Sequence, residues 1–360
     1  MKIPEYTSLE DKGYSLNVKD SKKTFEHYMC ITDAEEFDKW YKSHNRNTKY
    51  LFRGIKEAKY KNYTSAQRLY FTNDYLNDGP SDLVQAHIDE MRKVQDGILQ
   101  KYCNSMGIPC TDLFLLSCSQ HHKNGISPFL DFTSDLKTAL YFMCDGAQFP
   151  ICGAGSDRKN DINNFISIYS IARTEFITLQ NISDLLIKSI IQDALEDKSE
   201  DKRAKILKAL KEERNQQKIA SLFSDSIYVF FKYQNLRTAY KELNNIKPIL
   251  IENKPLKITI NNYKTEAKLT ISNLNIVAQR GCFLYHDKGS SPLEEGLECV
   301  DIHKSLIPYI VNKYLKKNKI DKNKLFPTED SLVDEATFNI TANIVAPKTE
   351  AQDNTSEASE

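Results

Sequence analysis

The feature that most constrains the fold is a short apolar run that ends in an arginine and a glycine, Tyr50-Leu51-Phe52-Arg53-Gly54. Three large apolar residues in a row predict a short buried strand, with Arg53 at its end. Gly54 would let the backbone turn sharply or approach a ligand. A guanidinium beside a core is costly unless it is paired or faces an anion, and its planar fork suits phosphate or carboxylate. The run therefore leaves open a salt-bridged structural arginine or an anion-binding one.

The composition is typical of a soluble globular protein. The 360 residues are 27% charged and 40% hydrophobic with zero net charge, so binding of a nucleic acid or a membrane would need a local patch. The eight cysteines include no CxxC pair, which indicates reduced thiols in a cytoplasmic protein. Cys118 and His121 have a ligand-like spacing, but no second pair completes a zinc site, and we expect no metal. No apolar run has the length of a membrane span, and the N-terminus lacks a signal-peptide core.

Local patterns divide the chain into an N-terminal lead-in (1–30), a central domain (31–335) and a C-terminal extension (336–360) with an acidic, disordered tail. The lead-in is expected to be loosely packed, and residues 183–223 are expected to form a charged helical insert. Asp33 begins a helix that buries Phe37, Trp40 and Tyr41. The other predicted elements are helices at 81–105, 111–122, 136–144 and 304–317, strands at 165–171, 227–231, 246–251, 256–260 and 268–271, and a strand-to-glycine passage at 275–285.

The first polar constellation lies at the end of a predicted helix and in the segment after it. A histidine near a hydroxyl and a carboxylate can bind a ribose or a phosphate, or act as an acid or base near neutral pH. Equally, such residues can cap the ends of helices. The members are Gln120, His121, His122, Ser127, Asp131 and Thr133.

Two further features have a functional and a structural interpretation. Gln279, expected at the end of a strand, could hydrogen-bond a sugar hydroxyl or satisfy buried backbone, and its amide cannot act as a base. A lysine cluster near the C-terminus could contact phosphates or form the solvated face of a helix. Its members are Lys313, Lys316, Lys317, Lys319, Lys322 and Lys324.

These segments, in this order, resemble the FRG domain family, which is named for a Phe-Arg-Gly motif. Phe52-Arg53-Gly54 is similar to that motif. Two departures are Ser127, where threonine is usual, and Asn275, where arginine is common. The resemblance covers about residues 30–335. Its other matching segments are Ser65–Arg68, Gln120–His122, Ser127–Thr133, Ala139–Phe142, Ala278–Phe283, the closing helix and Leu325–Pro327.

The resemblance implies an α+β fold with a split, mixed and partly antiparallel sheet, similar to the ADP-ribosyltransferase fold, with flanking helices. In that fold a strand-end basic residue holds NAD, a central strand supplies a hydroxyl or a histidine, and a late strand supplies a glutamate or glutamine. By position these are Arg53, then His121 or Ser127, then Gln279, with Arg53, His121 and Gln279 as the catalytic set. The residues expected to bind NAD are Arg53, Gly54, Arg68, Gln120, Ser127, Asp131 and Tyr141.

The implied function is that of a bacterial FRG-type protein that binds NAD as substrate and transfers ADP-ribose to a nucleic-acid or protein acceptor, as a toxin or anti-phage effector. Cleavage of the nicotinamide–ribose bond passes through an oxocarbenium-like state. Arg53 would hold the pyrophosphate, and Gln279 would hydrogen-bond a ribose hydroxyl. Two alternatives stay open, a non-catalytic module that recognises a phosphorylated ligand or nucleic acid, and an NAD glycohydrolase.

Overall fold

The structure is a computed structural model, and it describes the chain in segments. Most of the N-terminal half is described, together with a continuous C-terminal stretch that ends at Phe326. The described residues are 2–13, 24–25, 27–45, 49–73, 79–106, 110–120, 125–148, 161–178, 180–181, 184, 196, 198–209, 212, 248–252, 256–260, 263–267, 274–286 and 289–326.

Strands and helices are mixed along the described chain, which confirms the α+β class. The strands are β1 (Tyr28–Ile31), β2 (Tyr50–Ile55), β3 (Phe129–Thr133), β4 (Phe165–Ala172), β5 (Ile177–Thr178), β6 (Ile249–Ile251), β7 (Leu256–Ile260), β8 (Tyr263–Ala267), β9 (Gly281–Tyr285) and β10 (Leu297–His303). The helices are α1 (Ala34–His44), α2 (Ser65–Thr72), α3 (Pro80–Ser105), α4 (Asp112–Gln120), α5 (Leu136–Cys144), α6 (Glu200–Ala209), α7 (Leu274–Ala278), α8 (Ile307–Ile310) and α9 (Lys322–Leu325). Short 3₁₀ and π segments extend α8 into a helical run from 304 to 318.

Eight strands form one mixed sheet in the order β1-β10-β4-β2-β3-β9-β6-β5. The two outer pairs, β1 with β10 and β5 with β6, are parallel, and the inner neighbours are antiparallel. β7 and β8 form a separate antiparallel pair. No helix in the described segments is long and apolar enough to cross a membrane.

The sheet is split at its centre, between β2 and β3. β2 pairs with β4 along its whole length, and β3 does the same with β9. β2 and β3, by contrast, pair at a single position, Phe52 with Thr133. The two halves of the sheet therefore diverge, and the backbone of β3 near Asp131 needs hydrogen-bond partners other than β2.

Each face of the sheet carries its own apolar core. On one face, α1, α5 and the helical run at 304–318 cover Phe52 and the even-numbered residues Ile166 and Ile168 of β4. On the other face the N-terminal segment covers Leu51, Ile55 and the odd-numbered residues of β4. This alternation follows from the two-residue period of strand side chains.

The described residues of the N-terminal lead-in are tightly packed, whereas we expected the lead-in to be loosely packed. Leu9, Lys12 and Phe25 are completely buried against the sheet, and β1 crosses the predicted boundary at residue 30 to pair with β10. Polar composition was misleading because the Lys12 ammonium donates to Asp301 Oδ1 at 2.6 Å inside the core. A buried lysine needs such a partner, and the partner lies far away in the sequence.

Local sequence signals explain several helix boundaries. The Asp33 side chain accepts hydrogen bonds from the backbone N–H groups of Glu35 and Glu36 and begins α1, and Asp135 caps α5 in the same way. α3 is interrupted at Val94–Gly97, where three consecutive residues have positive φ. This interruption rotates the second half of α3, so Ile98 is exposed although its spacing predicts a buried position.

Three predictions about local structure were wrong. Arg53 and Gly54 lie inside β2, not at its end, because β2 continues to Ile55. Gly54 makes no turn; a Cβ there would overlap the carbonyl oxygen of Ala139 on α5, so the glycine permits close helix–strand packing. Gln279 was expected at the end of a strand, but it follows the short helix α7. Most of the predicted insert at 183–223, the strands at 227–231 and 268–271 and the tail lie outside the described residues, apart from α6 within the insert.

Candidate functional site

The split between β2 and β3 opens into a cleft with a volume of about 330 Å³. Residues from both halves of the sheet, from α2, α4 and α5, and from the turn after α7 line it. A cavity of this size suits a small-molecule ligand. The lining residues are Phe52, Arg53, Gly54, Ile55, Lys56, Tyr60, Arg68, Gln120, Asp131, Phe132, Thr133, Ala139, Phe142, Gln279 and Phe326.

Arg53 spans the split and is incompletely hydrogen-bonded. Its Nη1 donates to the Asp131 carbonyl oxygen at 2.8 Å, which satisfies backbone that β2 leaves unpaired. The same nitrogen lies 3.8 Å from Asp131 Oδ2, at the edge of ion-pair range. Arg53 Nε is buried and has no hydrogen-bond partner within the described segments. Burial lowers the pKa of the guanidinium to about 10, against the opposing effect of Asp131.

Positive charge exceeds negative charge in the cleft wall. Arg68 on α2 also lines the cleft, and burial lowers its pKa. Arg68 forms no ion pair with any residue that the structure describes. Lys56 adds a third cation, whereas Asp131 supplies the wall's carboxylate. Two partly desolvated arginines beside one carboxylate favour an anionic ligand, because the surplus charge is costly without one.

A chain of polar side chains leads from α4 to Asp131. The Gln120 amide nitrogen donates to Asp131 Oδ2 at 2.7 Å, and the Ser127 hydroxyl donates to Gln120 Oε1. Ser127 Oγ in turn accepts from the Phe129 N–H at 3.1 Å. Asp131 Oδ1 is buried and has no partner among the described residues. The network fixes one carboxylate oxygen and leaves the other without a protein donor.

The position of Gln120 is supported from behind by a buried serine–histidine contact. His87 Nε2 and the Ser119 hydroxyl lie 2.6 Å apart, immediately before Gln120. Gly125 packs so closely here that a Cβ would overlap the Ser119 carbonyl oxygen. Burial lowers the pKa of His87 to about 4, so the ring is neutral at neutral pH.

Gln279 lies at the floor of the cleft in a constrained position. Its side-chain amide nitrogen donates to the Leu325 carbonyl at 3.0 Å, and its own carbonyl accepts from the Thr133 hydroxyl at 2.7 Å. These bonds join the turn after α7 to both α9 and β3. Gln279 therefore has a clear packing role, and only the rest of its amide is available to a ligand.

The remaining wall of the cleft is apolar and aromatic. Phe52, Ala139 and Phe142 form it together with Phe326, which follows α9. The rings of Phe142 and Phe326 meet edge to face, with centroids 5.9 Å apart at 89°. A flat ring can pack against such a wall while a charged group reaches the arginines on the other side.

The structure brings together most of the residues predicted for the site. Arg53, Gly54, Arg68, Gln120, Asp131 and Gln279 all line one cleft. Ser127 lies behind Gln120, and Tyr141 is buried in the core around α1 and α5, whereas its neighbour Phe142 is in the wall. His121, the third member of the predicted catalytic set, lies outside the described residues.

Sequence reasoning missed several residues of the wall. Lys56 and Tyr60 follow the Arg53 strand in a basic, tyrosine-rich segment, and Phe326 belongs to the Leu-Phe-Pro ending. The Leu-Phe-Pro segment matches a family motif, but its position in the sequence does not show that Phe326 lies in the same cleft as Arg53, 273 positions earlier. These residues join the cleft wall through contacts between segments that are distant in the sequence, and local patterns do not reveal such contacts.

Comparison with known proteins gives one positive result. The model of the family described as FRG domain matches residues 48–149. This range contains β2, α2, α3, α4, β3 and α5, which supply most of the cleft wall. No curated protein and no solved structure matches the chain.

Proposed function

Since the chain carries an FRG domain at residues 48–149, with its Phe-Arg-Gly motif in the wall of a cationic cleft, we propose that the protein binds NAD there and transfers ADP-ribose to a macromolecular acceptor. In a bacterium, such an activity would serve a toxin or an anti-phage effector. The split between β2 and β3 supports the likeness to the ADP-ribosyltransferase fold that the motif order implies.

The observation that carries the proposal is the incomplete pairing of Arg53. A structural arginine at this depth would have its fork fully used by carboxylates or carbonyls. Here Nε has no partner in the described chain, and the nearest carboxylate oxygen is 3.8 Å from Nη1. Arg68 adds a second guanidinium to the same wall. A pyrophosphate has two negatively charged groups, and two adjacent guanidinium groups can bind both.

The other wall suits the remaining parts of a dinucleotide. Phe142 and Phe326 offer an apolar surface for an aromatic ring, and the Asp131 carboxylate, whose side chain is 42% exposed, offers an acceptor for a ribose hydroxyl. Gln120 holds the other carboxylate oxygen and so fixes the orientation of Asp131. The cleft thus offers groups that suit a phosphate, a sugar and a ring.

The proposed reaction exchanges one bond at the ribose for another. The bond from ribose C1′ to the nicotinamide nitrogen breaks, and its electron pair leaves with neutral nicotinamide. A nucleophilic atom of the acceptor forms the new bond to C1′ and gives up a proton to Asp131 or to water. Positive charge develops on the sugar as the bond breaks, and a fixed carboxylate stabilises that charge.

The experiment is incubation of the purified protein with NAD labelled in the adenosine part, in the presence of cell extract. Label on protein or nucleic acid, with release of nicotinamide, is the expected result. Nicotinamide release without transfer would identify a glycohydrolase. If neither occurs and NAD does not raise the unfolding temperature, both enzyme proposals are wrong and a non-catalytic recognition module is favoured.

Arg53→Ala tests the site itself. We expect it to lower NAD affinity at least about 10-fold, because it removes two charge-assisted hydrogen bonds. Arg92→Ala is the matched control. Arg92 on α3 pairs with Asp112 at the start of α4, at 2.5 Å, and it does not line the cleft. Equal NAD affinity in the two variants would remove Arg53 from the site.

A further inference from the structure

Positive charge is concentrated at the C-terminal end of the described chain. Residues 304–326 contain seven lysines and one acid, Asp321, in a protein whose net charge is zero. Two of these lysines form ion pairs with acidic residues of the same chain. Lys304 is buried and bonds Glu57 at 2.8 Å, and Lys313 pairs with Asp38. The other five are surplus to these internal pairs.

These five lysines form a continuous exposed segment that we call the basic rim. No carboxylate of the described residues forms an ion pair with any of them. The acid within the segment, Asp321, is itself engaged, because its side chain accepts from the Lys324 N–H and caps α9. The basic rim consists of Lys316, Lys317, Lys319, Lys322 and Lys324.

The helix dipole accounts for only part of this charge. Lys316 and Lys317 lie at the C-terminal end of the helical run at 304–318, where cations are stabilised. Lys319 lies beyond that end in a left-handed turn, with φ at 54°. Lys322 begins α9, at the helix end where a cation is disfavoured. Helix stability therefore does not explain Lys319 and Lys322.

The C-terminal end of the basic rim is anchored next to the cleft wall. Ile320 and Leu325 are buried and anchor the segment to the core around α5. The Leu325 carbonyl accepts from the Gln279 amide at 3.0 Å, and the next residue, Phe326, is part of the cleft wall. The C-terminal end of the rim, at Lys324, is therefore two residues from the cleft wall.

We propose that the basic rim binds single-stranded nucleic acid and presents it to the cleft as the acceptor of ADP-ribose. Binding of nucleic acid to the rim does not depend on the proposed function, whereas the role of that nucleic acid as the ADP-ribose acceptor does. Lysines bind successive phosphates as point charges. A basic track that follows the phosphate backbone is the usual first element of a single-strand binder.

A single strand fits better than a duplex. An acceptor base has to reach the ribose at the cleft, which an unpaired base can do and a base pair inside a duplex cannot. An enzyme that acts on a base must take it out of the stack, and an unpaired base is available without that cost. In the transfer step a base nitrogen forms the bond to C1′ as nicotinamide leaves with the electrons of the broken bond, and the nitrogen's proton passes to Asp131 or water.

The test measures binding of a fluorescein-labelled, mixed-sequence DNA strand by anisotropy, without NAD, over a range of KCl concentrations. If three to five lysines contact phosphates, log K against log salt has a slope of about −2 to −3.5. K319E/K322E/K324E should weaken binding at least about 10-fold at low salt and make the slope less steep by about 2 units. K202E/K205E/K208E on α6 changes the net charge equally and should bind as the parent does.

Three results would overturn the proposal: no binding of the strand at low salt, equal binding by the rim variant and the parent, or stronger binding of a polyglutamate peptide than of DNA. The last result would indicate an acidic protein as the partner. The rim variant must keep the parent's unfolding temperature and its shift by NAD. Loss of the NAD shift in the parent, with DNA binding intact, would count against the proposed function and not against the rim.

Discussion

Two cation–carboxylate pairs lie near Tyr169, and they are built differently. Lys12 and Asp301 are completely buried and 2.6 Å apart. Arg53 and Asp131 are 3.8 Å apart at a cleft, with the Asp131 side chain 42% exposed. Tyr169 connects them, since it is in register with Arg53 on β2 and its ring centroid is 5.2 Å from Lys12 Nζ.

The first pair is complete. Lys12 Nζ donates to Asp301, to Ser167 Oγ and to the Ala58 carbonyl, which uses all three of its protons. Both carboxylate oxygens of Asp301 accept, and Tyr28 supplies a bond at 2.8 Å. Burial alone would lower the pKa of Lys12, but Asp301 and Cys299 together raise it.

The second pair is incomplete on both sides. Arg53 Nε and Asp131 Oδ1 lack partners in the part of the chain that is described, and the pKa of Arg53 is lowered to about 10. Complete pairing indicates that a buried charge serves the fold. For a pair that lines a cleft, we infer that incomplete pairing leaves charge for a ligand. The predictions below test that distinction.

The largest effect is expected from Lys12→Met. Removing one partner of a buried pair leaves the other charged and desolvated, which costs about 3–5 kcal/mol. Urea unfolding at neutral pH should show this loss. NAD binding below the unfolding transition should persist, because Lys12 is not in the cleft wall.

Lys39→Met is the control for the Lys12 variant. Lys39 pairs with Glu35 at 2.9 Å on the surface of α1, with both side chains more than 70% exposed. Its removal should change the free energy of unfolding by no more than about 0.5 kcal/mol. A similar small change for Lys12→Met would show that the buried pair is not essential to the fold.

His87 provides a second test, because it is incompletely bonded but closed off from the cleft. Its Nδ1 has no partner within the described residues, while Nε2 contacts Ser119. Its pKa falls from 6.5 to about 4 on folding. The unfolded chain therefore binds a proton that the folded chain does not between these values, and stability is full above pH 6.5 and is lost as the pH falls towards 4. The loss approaches about 3 kcal/mol.

His87→Gln should flatten this dependence while leaving NAD affinity within about threefold of the parent. The measurement is the free energy of unfolding at several pH values between about 7 and 4. If the variant loses stability as steeply as the parent, another group is responsible. A large loss of NAD affinity would mean that His87 acts on the cleft through Ser119 and Gln120, although His87 itself does not line the cleft.

The sequence predicted the local elements better than the contacts between them. Asp33, Phe37, Trp40 and Tyr41 predicted α1 correctly, because capping and helical spacing are local. The buried pair of Lys12 could not be predicted, since its partner is 289 positions away. Gly54 was misjudged for the same reason, as its function is to admit α5.

The order of the motifs predicted which residues meet in the cleft, and it did not predict the geometry of the cleft. The order of motifs brought Arg53, Gln120, Asp131 and Gln279 into one hypothesis, and the structure places all four in one cleft. The spacing of these residues does not reveal that β2 and β3 separate after one register pair, which creates the cleft. It also does not reveal that Gln279 is bonded to Leu325, which leaves Asp131 as the better placed acceptor.

The last prediction compares the two carboxylates directly, through Asp131→Asn and Asp301→Asn. Asp131→Asn keeps an oxygen for the Gln120 amide and leaves the backbone carbonyl that binds Arg53, so stability should change by less than about 1 kcal/mol. NAD affinity should change by less than about threefold, because the arginines remain, whereas transfer of ADP-ribose should fall about 100-fold. Asp301→Asn should do the reverse, with about 3 kcal/mol less stability and normal transfer by the folded fraction. If Asp131→Asn instead loses stability and affinity together, the Arg53 pair is structural after all, and the incomplete bonding of its two unpaired atoms is only a consequence of the split in the sheet.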